Sequence, residues 1–517
     1  MITFKDGIFA WRGTYEDRSV PYEAGFTWHP GWKIWYTKSH YFAYNLIHEA
    51  DSSARQALIP MATYIMYSGL EDSAYGLFSP PGDNEYMEFQ KAGIWTACRR
   101  LDHHRAAGIF DDPGLGKTIQ AIGILNVKGY RKVLVICPAF LRQNWHTEME
   151  KWWVNFDDPA IIRSGKDEVG KRSVICSYNL AAGIRRRDFD CVIIDELHRL
   201  KNGKAQWTKK ILLNKGSLVQ ASRAKVIGLT GTPVPNGKPD EVWTIVKHLA
   251  PEISEDFNGD KWRFLQRFCV FNSDQFGKFV VGSKNLNELH NRLRGSGFMV
   301  RRRKADVLKQ LPAKRHAMVV LDPNAKTLKL LKKESEFSVD EIVEHGGVSR
   351  QGGLAELRRL LGISKIKDAA DFIMEMLMNG TQKIVVGAYH VDVVKGLTDE
   401  LSSRAIRTLQ VSEIYGAVKE SDRVKRIRDF QTTSNPAVII GQIQAMGEGV
   451  NLTAASDCVM VEESWIPAQN DQFTDRPHRI GQTKQVTVWH LIYRDSIDSK
   501  VFSRTTEKKI DMTKIAG

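Results

Sequence analysis

The stretch Gly108–Leu125, GIFDDPGLGKTIQAIGIL, decides the fold. An apolar strand end runs into a glycine-rich turn, and a helix opens at Lys117 and Thr118. Gly114 and Gly116 let backbone N–H groups close around phosphate oxygens, and the helix N-terminus adds a favourable dipole. In that geometry Lys117 reaches the β- and γ-phosphates of a nucleotide and Thr118 binds Mg2+. Asp111 stands where the common GxxxxGK[ST] pattern has its first glycine, but Gly114 and Gly116 keep the turn. A phosphate loop of this kind joins a strand to its following helix, so an open α/β sheet is expected around it.

Working outward, strands are expected at KVLVICP (132–138), SVICSY (173–178), CVIIDE (191–196) and KVIGLTGTP (225–233). Near-continuous apolar runs of this length suit parallel strands covered on both faces, with helices between them. CVIIDELH puts Asp195 and Glu196 at the C-terminal edge of a strand, where open α/β sheets bind their ligands. Asp195 is expected to hold Mg2+ and Glu196 to activate the attacking water, because catalysis of phosphoryl transfer is mostly positioning and charge neutralisation. Viewed alone, an acidic pair after a strand reads more often as a solvated helix cap; its spacing from Lys117 and the GLTGTPVPN that follows favour chemistry. Thr230, Gly231 and Thr232 form a second polar turn at another strand end, suited to sensing the γ-phosphate and relaying its loss.

A second series of strands is expected at KIVVGAYH (383–390), IRTLQV (406–411), AVIIGQ (437–442), DCVMVEES (457–464) and VTVWHLI (486–492). Two such series predict two doubly wound parallel-sheet lobes in tandem. The first spans residues 81–311, with a helical protrusion from about 250. The second, with its linker, spans 312–517. The segment from about 250 to 365 reads as helical and charged and contains the run Arg301, Arg302, Arg303, Lys304. Far downstream, ESWIPAQNDQFTDRPHRIGQTKQV holds Gln472, Arg476 and Arg479. The two arginines lie three apart, one helical turn, and so would share a helix face. An arginine reaching a γ-phosphate from another domain stabilises charge in the transition state. Taken alone, the same string reads as a surface helix with salt bridges.

Residues 1–80 differ from the rest and predict a small aromatic-rich α+β module. It contains Trp11, Trp28, Trp32, Trp35, Tyr36, Tyr41, Phe42 and Tyr44. The stretch EAGFTWHPGWKIWYTKSHYFAYNLIHEA predicts a short hairpin turning at Gly31, followed by a helix. Its aromatics would serve either as a stacking surface for nucleic acid or as a compact core. Across the 517 residues, 74 Lys and Arg against 60 Asp and Glu leave a net charge of +14, which favours a polyanionic partner. No apolar run reaches 18 residues and the N-terminus lacks a signal-peptide core, so an intracellular protein without a membrane span is expected. The six cysteines show no CxxC spacing and read as buried reduced thiols rather than a zinc or redox site.

Together these strings resemble the Swi/Snf family of helicase superfamily two, over roughly residues 85–510. FQKAGI carries Gln90 in the place of the family's adenine-reading glutamine. DDPGLGKT resembles the family's phosphate loop, and VICPAFLRQNW its DNA-backbone motif, with Pro138, Asn144 and Trp145 at matching places. DELH, LTGTPVPN, GEGVNLTAAS and DRPHRIGQ complete the set in the family's order. NLNELHNRL, VRRRKADVLKQLPAK and a short second lobe are most similar to HARP-like annealing helicases. Pro113 departs from the usual Met and Leu197 from the usual small residue; neither removes a catalytic group.

The resemblance implies RecA-like lobes and an ATP-dependent translocase on double-stranded DNA, remodelling branched DNA or DNA–protein complexes in replication, recombination or repair. It implies ATP and Mg2+, with nucleotide contacts from Gln90, Asp112, Gly114, Leu115, Gly116, Lys117, Thr118, Ile119 and Gly449. Lys117, Asp195, Glu196, Gln472, Arg476 and Arg479 would be catalytic, with Thr118 and Asp195 on the metal and Thr230–Thr232 coupling. Pro138, Asn144, Trp145, Asn451 and Trp465 would contact DNA, mainly at phosphates and so without sequence preference. A monomer is expected. Two other readings are a strand-separating DNA or RNA helicase and a nucleotide-gated DNA clamp with little turnover; the complete catalytic set argues against the clamp.

Overall fold

The computed structural model describes all residues except 15, 25, 38–42, 44–45, 59–79, 168, 275–276, 309, 335–352, 405–407, 447–449, 495, 497–511 and 516–517. The chain forms two compact units: Met1–Val307 with Asp511–Gly517, and Leu308–Ile510. Among the described residues no helix is long and apolar enough to cross a membrane.

The first unit begins with a four-stranded antiparallel sheet of β1 (Ile2–Lys5), β2 (Ile8–Trp11), β3 (Thr27–His29) and β4 (Ile34–Thr37), in the order β1-β2-β4-β3. Ile2, Phe9 and Trp11 are buried, and the Trp11 indole N–H donates to Glu49 Oε2 at 2.6 Å. The expected hairpin is present as β3 and β4, but the left-handed residue in its turn is Lys33 (φ 51°), not Gly31. The other hairpin was unanticipated. Asp6 and Gly7 join β1 to β2 with φ of 51° and 77°, a two-residue turn whose positive φ values match the twist of its strands. Of the helix expected after β4, residues 38–42, 44 and 45 lie outside the described residues, with Tyr41, Phe42 and Tyr44 among them; Ile47–Glu49 form a 3-10 turn.

The rest of the first unit is built on a seven-stranded parallel sheet. Its strands are β5 (Ala106–Ile109), β6 (Val133–Cys137), β7 (Ala160–Ile161), β8 (Val174–Ser177), β9 (Cys191–Asp195), β10 (Lys225–Leu229) and β13 (Met299–Val300). Alternation along each strand feeds two separate cores. Leu134, Ile136, Val192 and Ile194 face one side; Val133, Val135, Cys191 and Ile193 face the other. Both faces are covered, so the strands read as unbroken apolar runs, and each fully buried aliphatic side chain contributes about 1.5–3 kcal/mol. All six cysteines are buried and unbridged. Within the segment from about 250 expected to be more helical, an antiparallel pair, β11 (Cys269–Asp274) and β12 (Gly277–Ser283), stands between helices Lys261–Phe268 and Leu286–Gly295.

The sheet order is β13-β5-β10-β9-β6-β8-β7. β10 lies between β5 and β9, and Leu229 is level with both Ile109 and Asp195. The loops leaving the C-terminal ends of these three strands are therefore neighbours, although up to about 120 residues separate them in the chain.

The second unit carries a six-stranded parallel sheet in the order β14-β19-β18-β15-β17-β16. It comprises β14 (Lys314–Leu321), β15 (Lys383–Ala388), β16 (Gln410–Ile414), β17 (Ala437–Gln442), β18 (Asp457–Met460) and β19 (Val486–Tyr493). The two-faced alternation recurs, with Ile384, Val386, Val438 and Ile440 in one core and Val385 and Ile439 in the other. Two expectations are corrected. The sheet begins at β14, not after residue 365: KRHAMVVL is a half-exposed edge strand, so it lacks the apolar run that marks a central one. The strand expected at 406–411 lies at Gln410–Ile414, and Ile406 and Arg407 fall outside the described residues.

Candidate nucleotide site

The phosphate loop occupies the turn between β5 and helix Lys117–Lys128. Gly114 and Gly116 both adopt left-handed backbone, at φ 90° and 75°. A Cβ on Gly116 would also lie 2.5 Å from the Gln90 amide nitrogen, so only glycine fits there. The Lys117 ammonium donates to the carbonyls of Asp111 at 2.9 Å and Asp112 at 3.3 Å. Burial pushes this lysine below its ordinary range, against the opposing pull of Glu196, Asp111, Asp195 and Asp112. Thr118 and Ile119 are half-buried on the first turn of the helix.

The acidic pair follows β9. Asp195 is buried; its Oδ1 accepts from the Glu196 backbone N–H at 3.0 Å and its Oδ2 from the Trp145 indole N–H at 2.8 Å. Glu196 itself is left-handed (φ 56°, ψ 53°), a strained conformation for a residue with a Cβ. The Tyr178 hydroxyl donates to the carbonyls of Asp195 and Glu196, holding this turn from below. His198 Nδ1 lies 3.3 Å from Glu196 Oε2 and 2.9 Å from Thr230 Oγ1, so it ties the acidic pair to the turn after β10. In that turn Thr230 Oγ1 accepts from the Thr232 N–H at 3.0 Å. A Cβ on Gly231 would stand 2.9 Å from the Pro113 ring and 3.2 Å from Lys117 Nζ, which is why this position has no side chain. The two departures from the family pattern are explained by packing. Pro113 lies against Gly231, and the fully buried Leu197 fills the space over Gly228.

Three residues expected at nucleotide or DNA contacts are buried within the fold. Trp145 is fully buried with its N–H committed to Asp195, so it positions a carboxylate and cannot stack on DNA. Pro138 is buried at the start of a 3-10 turn, where its carbonyl accepts from the Leu141 N–H; of Pro138, Asn144 and Trp145 only Asn144 is exposed. Gln90 is buried with its amide engaged by the protein, donating to the Leu115 carbonyl at 3.2 Å and accepting from Met87 N–H at 3.0 Å. Trp145→Phe keeps the ring but removes the donor from a buried carboxylate. It is expected to cost about 1.5–3 kcal/mol, read as a lower thermal midpoint, and to slow ATP turnover; wild-type values of both would exclude the positioning role.

In the second unit, helix Pro467–Thr474 ends before the arginines. Arg476 and Arg479 lie on the turns that follow, not on one helix face, because Pro477 cannot continue the helix and restricts the residue before it. Gln472 and Arg476 are buried. The string DRPHRIGQ is tied to the segment 452–455: Arg476 O accepts from Leu452 N–H at 3.2 Å, and the Gln482 amide donates to Thr453 O and Ala455 O at 3.1 and 2.8 Å. Lys314 at the start of β14 pairs with Asp475 at 2.9 Å. Asn451 is exposed, and Trp465 is half-buried with the Arg358 guanidinium 4.7 Å from its ring centroid. Gly449 lies outside the described residues.

Arg301 and Arg302 are the residues that sequence reading left without a role. Arg302 is paired with Asp111 inside the first unit, and Arg301 donates to the Phe110 carbonyl at 2.6 Å and to Asp112 Oδ1 at 2.9 Å. Their run was visible in the sequence. Nothing local marked which of its members point inward.

Residues 89–364 match the SNF2-related domain, and residues 364–481 match the helicase conserved C-terminal domain. The human DNA annealing helicase and endonuclease ZRANB3 is 31% identical over 444 residues, covering 82% of this chain and 39% of that protein. The Xenopus laevis SWI/SNF-related matrix-associated actin-dependent regulator of chromatin subfamily A-like protein 1 is 30% identical, covering 82% of this chain and 43% of that protein. The chain thus spans about two fifths of the length of these curated relatives. The SWI2/SNF2 ATPase core of Sulfolobus solfataricus, solved in complex with double-stranded DNA, aligns with 86% of this chain and 96% of that one at 23% identity and a TM-score of 0.40. With more than half of its residues matching the SNF2-related domain and the helicase C-terminal domain following directly, the chain belongs to the SNF2 family.

Proposed function

We propose that this protein is a DNA-dependent ATPase that translocates on double-stranded DNA and remodels branched DNA or DNA–protein complexes. The observation that carries the reading is the convergence of Lys117, Asp195, Glu196 and the Thr230–Thr232 turn at the C-terminal edge of three adjacent parallel strands. In this reading the loop N–H groups and Lys117 bind the β- and γ-phosphates. Glu196 accepts the proton of the attacking water, and Asp195 is held in place by Trp145. Thr118 and Asp195 offer the oxygen donors that a hard divalent cation takes; Mg2+ there would neutralise charge on the phosphates. His198 gives loss of the γ-phosphate a route from Glu196 to Thr230. Arg476 and Arg479 are the further candidates for a catalytic part, as charge that stabilises the transferring phosphate.

The net charge of +14 and the relatives named as DNA annealing helicases support DNA as the track, bound mainly through phosphates. Steady-state phosphate release should be low without nucleic acid and rise with duplex, forked or four-way DNA more than with single strands. The stimulation should fall steeply with added salt. Displacement of a triplex-forming strand without separation of a tailed duplex is the expected translocation result. Equal turnover with and without DNA would defeat the motor reading, and efficient unwinding of the tailed duplex would favour a strand-separating helicase.

A further inference from the structure

Behind the phosphate loop lies a buried polar network with no counterpart in the loop motif itself. Asp111, where the common pattern has glycine, is fully buried. Its Oδ1 accepts from the backbone N–H and the Nε of Arg302, both at 2.9 Å; its Oδ2 accepts from Arg302 Nη2 at 2.5 Å and Gln120 Nε2 at 2.8 Å. Arg302, 4% exposed, spends its other donors on the Phe89 carbonyl at 2.6 Å and Gln120 Oε1 at 2.5 Å. Gln120 Nε2 also reaches the Leu115 carbonyl at 3.3 Å, where the Gln90 amide joins it at 3.2 Å. Gly93 leaves the room for this: a Cβ there would sit 2.3 Å from the guanidinium.

The network has a direction. The ion pair, closed across 191 residues of sequence, is the fixed end, because its carboxylate and guanidinium satisfy each other away from water. Gln120 is the link, bonded to both members of the pair and to the loop. Leu115 is the loop end, lying between Gly114 and Gly116, the two left-handed glycines that shape the loop. A buried ion pair is weak evidence for stability, since a well-packed apolar pair of similar volume often does as well. A positioning role explains why charges occupy this site. The neighbouring residues grip the second acid of the motif as well: Arg301 Nη2 donates to Asp112 Oδ1 at 2.9 Å and the Lys304 N–H to Asp112 Oδ2 at 3.0 Å.

We propose that Arg302 is a positioning residue for nucleotide binding: paired with Asp111 and acting through Gln120, it holds the Leu115 peptide so that the loop is shaped for phosphate before ATP arrives. This rests on the reading of the loop as an ATP site. Preorganisation lowers the cost of ordering the loop on binding, so its loss should appear in affinity more than in the rate at saturation. Gln120→Leu keeps the ion pair and cuts the link. Its Kd for a fluorescent ATP analogue and its KM for ATP should rise about three- to tenfold, the scale of losing the neutral amide bond to the Leu115 carbonyl, with turnover at saturating ATP near the wild-type rate. Arg302→Ala should raise Kd at least as far, and the double variant should bind no more weakly than Arg302→Ala, because both act through one contact. Should Arg302→Ala fail to fold, Gln120→Leu carries the test alone. Wild-type Kd and KM in Gln120→Leu, alongside a lowered thermal midpoint, would overturn the inference and leave a purely structural network; additive effects in the double variant would overturn it too. A wild-type protein that binds no nucleotide would overturn the proposed function and this inference with it.

Discussion

Glu196→Gln is expected to lower ATP turnover by ~10²–10⁴-fold while ATP still binds, the effect of removing a general base whose shape is kept. The substitution is close to isosteric. The left-handed backbone at this position, held by the Tyr178 hydroxyl on the flanking carbonyls, should therefore survive. Strain of this kind costs about 1–3 kcal/mol and persists only where the surroundings over-determine it, which fits a residue kept for chemistry. What the amide cannot do is take a proton from water. Single-turnover phosphate release and nucleotide binding, measured on the same preparation, separate the two steps. Lys117→Ala should differ by losing binding along with turnover, since its ammonium sits under the loop at 2.9 Å from the Asp111 carbonyl. Undiminished release in Glu196→Gln would remove Glu196 from the mechanism.

Arg479→Ala should be slower than the wild-type protein by ~10³-fold, the scale of losing one arginine finger, with nucleotide affinity largely kept. Arg479 is the cleaner test of the two arginines. Arg476 is 3% exposed, its Nη1 lies 3.4 Å from the Val450 carbonyl, and its own carbonyl anchors Leu452. Arg476→Ala therefore removes packing from the second unit along with charge. Arg479 is half-buried, with its Nε 3.2 Å from the Asp475 carbonyl. Arg479→Lys should not restore the rate, because a point charge cannot reproduce a planar fork of donors. Phosphate release at saturating ATP and DNA gives the rate, and titration with a fluorescent nucleotide gives the affinity. Turnover within a few-fold of wild type would leave the string after residue 474 as a structural brace.

Some features of the chain were legible because their physical cause is local. A parallel strand covered on both faces must be apolar at every position, so VLVIC and CVIID announce themselves and fall within a residue of their expected ends. A turn that bends backbone round phosphate needs glycine at left-handed positions, so GLGKT is readable without coordinates. The Asp-Gly turn at residues 6 and 7 carries an equally local signal, positive φ at two residue types that tolerate it. β14 was missed for a different reason. An edge strand need not be apolar on both faces, so KRHAMVVL has no pattern that sets it apart.

Residue order alone determined that this chain has two parallel α/β layers, a phosphate loop, and an acidic pair at a strand end. Tertiary structure alone decided how those parts meet. The placing of β10 between β5 and β9 makes neighbours of three loops. The fold also turns Trp145 from an expected DNA contact into a donor for Asp195, and it selects Arg302 from a run of basic residues to meet Asp111. The physical reason is range. Backbone propensity and hydrophobic period act over a few residues, whereas a buried hydrogen bond closed across 191 positions exists only once the sheet has set its order.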